Sequence, residues 1–86
     1  MEIIRYDGTR LMTEEDVDRE FLGYVVLLDN KDYPNSNKGY LLASAEGERD
    51  AFRAILNLKR REFAGRGRIV SGSDVRGQTI GIYGYI

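Results

Sequence analysis

Hydrophobic and polar positions follow two periods along this chain, and the change from one to the other divides it into elements. "EIIRY" at 2–6 suits a short strand, ended by the turn-forming pair Asp7 and Gly8. In "MTEEDVDREFLG" the spacing predicts a short helix over 14–22. Thr13 is its N-cap, with Glu14, Glu15 and Asp16 at the positive end of the helix dipole. Met12 and Val17 occupy the positions of a hydrophobic staple, and Gly23 is free to take the left-handed conformation that ends a helix.

"YVVLLDN" at 24–30 is apolar and β-branched without alternation, which predicts an interior strand covered on at least one face. "KDYPNSNKG" then reads as a polar loop, and "YLLAS" at 40–44 as the returning strand of a hairpin. From 46 to 64 the period becomes helical. Ala51, Phe52, Ile55, Leu56, Leu58 and Phe63 gather on one side of this second, longer helix. Ser44 is its expected cap, Glu46 and Glu48 favour its start, Lys59, Arg60 and Arg61 favour its end, and Gly65 follows as the stop.

"GRIVSG" and "QTIGIYGYI" predict two final strands around a "SDVRG" turn. In the last of them Ile80, Ile82 and Ile86 share one face, and Tyr83 and Tyr85 the other. The order β-α-β-β-α-β-β implies an α+β fold: a single domain over 1–86 with a mainly antiparallel sheet of about five strands, one short helix and one long helix.

Composition narrows the chemistry. A chain of 86 residues that is 42% apolar and 31% charged, with one proline, has the balance of a small globular domain with one core. It contains neither histidine nor cysteine. That removes Ser-His-Asp and Cys-His nucleophilic systems, disulfides, and zinc sites with the usual nitrogen or sulfur ligands. The longest apolar run, "YVVLL" at 24–28, is too short to span a bilayer, and the N-terminus lacks a basic-then-apolar signal pattern. With no cysteine, the expectation is a soluble cytoplasmic protein without membrane contact.

The remaining enzyme-like features have plainer explanations. The acids of "EEDVDRE" cluster on a short solvated helix, whereas paired-carboxylate catalysis needs a deep cleft and a buried, raised acid. Their spacing is not that of a calcium loop, so no metal is expected. "GRGRIVSG" runs from helix to strand, the reverse of the strand-glycine-helix order of a dinucleotide site. We therefore expect no catalysis and no cofactor.

Charge is what remains. Residues 1–32 carry nine carboxylates and four cations, and residues 48–68 carry seven cations, six of them arginine, and three carboxylates. Lys59, Arg60 and Arg61 are accounted for by the negative end of the helix dipole. Arg49, Arg53 and Arg60 form a narrow stripe beside Leu56, where Glu46 and Asp50 are within i, i+3 reach of the first two and Arg60 has no local carboxylate. With Arg66 and Arg68 just beyond, the expected partner-binding set is Arg49, Arg53, Lys59, Arg60, Arg66, Arg68, Tyr83 and Tyr85.

Three targets suit this set: the acidic first helix of the same molecule, an acidic protein surface, or a phosphate backbone. A net charge of −1 argues against generic nucleic-acid binding. The expectation is a small non-catalytic protein-binding module, a regulator or phage-type inhibitor, with a nucleic-acid-binding accessory as the alternative. An uncovered edge on the last strand would also allow a homodimer through that strand.

Overall fold

The computed structural model describes residues 2–72, so the expected final strand at 78–86, with Tyr83 and Tyr85 and the dimer edge assigned to it, lies outside the described residues. The fold is α+β, and the described residues form a five-stranded antiparallel sheet and two helices. In chain order the elements are β1 (Ile3–Arg5), β2 (Leu11–Thr13), α1 (Glu14–Glu20), β3 (Tyr24–Asp29), β4 (Lys38–Glu46), α2 (Arg49–Glu62) and β5 (Arg68–Ser71).

Strand β4 organises the sheet. Along one edge it pairs with β1 through Ile3 to Ala45 and with β2 through Leu11 to Tyr40, so β1 and β2 act as one edge strand interrupted by the loop at 6–10. Along its other edge it pairs with β3, and β3 in turn pairs with β5. The register between β3 and β4 shifts after Leu27, which pairs with Ala43 while Leu28 pairs with Leu41. Leu42 is the extra residue of this bulge, and its carbonyl accepts from the Tyr6 N–H at 2.9 Å where the edge strand breaks. At Gly39 the strands approach so closely that a Cβ would stand 2.8 Å from the Asp29 carbonyl oxygen, which explains a glycine inside this strand.

The unbroken apolar run of β3 has a direct cause: both of its faces are covered. Val25 and Leu27 pack with Ala43, Ala45, Ala51, Ile55 and Leu58 beneath α2. Val26 and Leu28 pack with Met12, Val17, Leu41 and Val70 on the α1 side, where Tyr6 and Phe21 complete the cluster. The two helices thus lie on opposite faces of the sheet.

The ends of α1 follow from local sequence. Thr13 accepts from the Asp16 N–H at 3.1 Å while the Asp16 carboxylate accepts from the Thr13 N–H at 3.0 Å, a reciprocal capping box. The helix ends at Glu20, where Phe21 caps it by donating its N–H to the Val17 carbonyl, and Gly23 takes φ +84° as the chain turns into β3.

The start of the second helix corrects the sequence reading. Strand β4 continues through Glu46, and α2 begins only at Arg49 after Gly47 turns the chain at φ +123°. Ser44 is therefore no helix cap: it lies buried in β4, with its hydroxyl 3.0 Å from that of Tyr6. Glu48 occupies the N-cap without a side-chain hydrogen bond. Pairing with Tyr24 of β3 keeps Glu46 in the strand, and left-handed Gly47 delays the start of the helix.

Candidate protein-binding face

Helix α2 is built from good helix formers and holds its place by burial. Ala51, Ile55 and Leu58 are fully buried against the sheet, which fixes the rotation of the helix about its axis. Beyond its last residue the chain turns through left-handed Ala64 and Gly65, with the Phe63 N–H donating to the Lys59 carbonyl at 3.1 Å and the Gly65 N–H to the same carbonyl at 3.0 Å. The expected glycine stop thus spans two residues.

At about 100° per residue, the buried side is centred opposite the direction shared by Arg49, Arg53 and Arg60. These three point away from the sheet, and all are exposed. The expected apolar face is narrower than its sequence suggested. Phe52 is 44% exposed, Leu56 is half-buried, and Phe63 packs on the rim of the core. Phe52 and Leu56 form an apolar margin beside the arginine stripe, with Asn57 and Asp50 on its other side.

Charge pairing separates the residues that the sequence had grouped. Arg68 pairs with Leu28 across the sheet and so shares the α1 face, where its guanidinium stands 2.8 Å from the Glu14 carboxylate and 3.5 Å from the Ser36 carbonyl. Arg66 donates Nε–H to the Phe63 carbonyl at 3.2 Å, helping to close α2. Arg61 does the same for the Asn57 carbonyl at 3.4 Å. Lys59 stands half-buried in the last turn of α2. Arg66 and Arg68 therefore have intramolecular roles that account for them.

Four of the five acids of α1 are similarly engaged, Glu15 being the exception. Glu14 meets Arg68, Asp16 meets Arg19, and Glu20 meets Arg10. Asp18 also has an interaction of its own. A hydrogen bond from the Thr13 N–H is the main cause holding the Asp16 carboxyl below the usual range. Beside α2, Glu62 pairs with Arg5 at 2.7 Å, tying the helix to β1, and that hydrogen bond pulls the Glu62 carboxyl down while raising the Arg5 guanidinium.

Arg49, Arg53 and Arg60 stand apart. Among the described residues, every other arginine has a hydrogen-bonding or ionic partner, and these three have none. The i, i+3 partners expected for two of them fail for different reasons: Glu46 belongs to β4 and not to the helix, and Asp50 forms no ion pair with Arg53. The sheet itself separates this stripe from α1.

Little else resembles a reaction site. Ser44 is the one polar residue buried as a whole among the described residues, so no described carboxylate is fully withdrawn from water. Among those residues no group of three or more metal-ligating side chains comes together, and no helix is long and apolar enough to cross a membrane. A shallow hollow over the β1 end of the sheet, lined by Glu2, Ile4, Tyr24, Ser44, Ala45 and Glu46, is open to solvent. Compared with protein-family models, curated proteins and solved structures, the chain matches none.

Proposed function

We propose that this protein is a small non-catalytic binding module, a cytoplasmic regulator or inhibitor that acts by protein–protein contact through the outer face of α2. One observation carries the reading: Arg49, Arg53 and Arg60 lack partners among the described residues, while every other described arginine has one. Arginine beside an exposed aromatic ring is the usual chemistry of an interface anchor. Phe52, 44% exposed, provides that ring.

A phosphate backbone is the competing target for the same arginines. It is less well served. Glu48 and Asp50 are exposed at the start of α2, Arg66 and Arg68 are engaged within the molecule, and net charge is −1. The absence of cysteine and histidine supports the non-catalytic assignment.

Affinity capture from a native lysate tests the proposal, comparing the tagged protein with its Arg49→Glu, Arg53→Glu, Arg60→Glu triple variant. The expected outcome is a protein partner that survives nuclease and moderate salt, retained by the natural sequence and absent from the variant. Recovery of nucleic acid that vanishes at moderate salt would favour the phosphate reading. Identical capture by both forms would rule out α2 as the contact.

A further inference from the structure

We infer that the partner segment is an acidic amphipathic α-helix, laid along α2 with a row of carboxylates over Arg49, Arg53 and Arg60 and an apolar row over Phe52 and Leu56. This rests on the binding reading above and specifies the chemistry of its occupant.

The shape of the face favours a helix. The three arginines fall at i, i+4 and i+11 on one side of α2, spaced by about 6 Å and then about 10 Å along the axis. That makes a straight, narrow row about 16 Å long. Glu or Asp on one face of a second helix repeats at the same intervals, because both helices share one rise per residue. The apolar margin runs parallel to the charged row, so a matching partner carries two adjacent rows, one acidic and one apolar. An amphipathic helix has this pattern, and helices pack with their axes about 8 to 10 Å apart, close enough for both rows to meet their counterparts.

Charge complementarity selects the sign and the source. Three exposed guanidiniums without partners among the described residues favour carboxylates as the matching groups of a partner. A second copy of this chain is poorly equipped to provide them from its own acidic helix. In α1, Glu14, Asp16 and Glu20 are bound to Arg68, Arg19 and Arg10, and Asp18 is also engaged, which leaves Glu15 as the one acid of that helix without a described partner. Moreover, α1 has seven residues, too few to follow the whole row. A nucleic-acid duplex would bring anions without an apolar row, leaving Phe52 and Leu56 uncovered and meeting Glu48 and Asp50 at one end.

The test uses the full chain and a synthetic peptide of about five helical turns. Its sequence places glutamates at i, i+4, i+7 and i+11 with a leucine row alongside. Controls are a scrambled peptide of the same composition, polyglutamate and a short DNA duplex. Binding is read by fluorescence anisotropy at physiological ionic strength, and the contact is mapped by NMR amide shifts. The patterned peptide should bind about tenfold or more tighter than its scramble. That preference should vanish in an Arg49→Gln, Arg53→Gln, Arg60→Gln variant and weaken in Phe52→Ala, with shifts confined to the outer face of α2. Equal binding of patterned and scrambled peptides would overturn the inference, as would preference for the duplex. If lysate capture still depends on the arginine stripe while the patterned peptide has no advantage, the helical partner is wrong and the protein-binding proposal stands. Loss of stripe dependence in both experiments sinks the two together.

Discussion

The two helices cover opposite faces of one sheet and are held by different means. Helix α1 has seven residues and buries only Val17, and it adds a capping box and ion pairs to that small contact. Helix α2 has fourteen residues, buries Ala51, Ile55 and Leu58, and starts with no side-chain cap. Its packing is sufficient. A helix whose charges are paired has few of them left for a partner, whereas one held by burial alone keeps its solvent side free, and the three arginines without described partners stand on the second kind.

The contrast is sharpest in the core beneath each helix. Replacing Ile55 with Ala removes a fully buried side chain that anchors α2 and should cost about 2 to 5 kcal/mol. Val17→Ala removes fewer carbons from the α1 side and should cost about 2 kcal/mol. Urea denaturation followed by circular dichroism orders the two. A larger loss for Val17 would mean that the short helix, and not the long one, carries the packing.

A smaller effect tests the cap. Thr13→Ala should cost about 1 kcal/mol by removing the acceptor for the Asp16 N–H. Acid sharpens this result. Asp16 and Glu62 both titrate below the usual carboxylate range in the folded protein, Asp16 chiefly through the Thr13 N–H and Glu62 through Arg5. A carboxyl whose folded pKa is depressed stabilises fully above its unfolded value, about 4 for these groups, and that contribution disappears as pH falls through the folded value. Stability measured between neutral pH and pH 3 should therefore fall only in the most acidic part of the range. A steady decline beginning near pH 6 would contradict the assignment.

The smallest stability effects belong to the charges. Arg49→Gln, Arg53→Gln and Arg60→Gln should each leave stability within about 0.5 kcal/mol of the natural protein, since no described residue loses a partner. Arg68→Gln breaks a partly exposed ion pair and should cost up to about 1 kcal/mol. Denaturation midpoints that fall as far for Arg53 as for Arg68 would mean that the outer face of α2 is structurally engaged after all.

Local signals were legible in the sequence, and their success has a common reason. Thr13 as cap depends on residues within a few positions of it and is found as expected, whereas the helix expected to run to 22 ends at Glu20 with Phe21 as its cap, and left-handed Gly23 serves the turn into β3. The positions of Met12 and Val17, both fully buried in one cluster, follow from the same short range. The β2 segment escaped notice because three residues carry no period, and only pairing with Lys38 to Tyr40 makes them a strand. Ser44 was misassigned for a related reason: a serine before a helical stretch resembles a cap, but its backbone was already committed to a ladder.

By itself, then, the sequence determined the α+β class, the two helices, the apolar run of β3 and the excess of cations near residues 48–68, because each rests on short-range periodicity or simple composition. Only the tertiary structure decided which cations are free. Arg68 and Glu14 are distant in sequence and meet because β5 and α1 share a face, whereas Arg49, Arg53 and Arg60 are turned outward by the burial of Ala51, Ile55 and Leu58. Net charge is a sum over residues, but charge pairing depends on which side of the sheet each side chain occupies, and that is set by strand register and helix rotation.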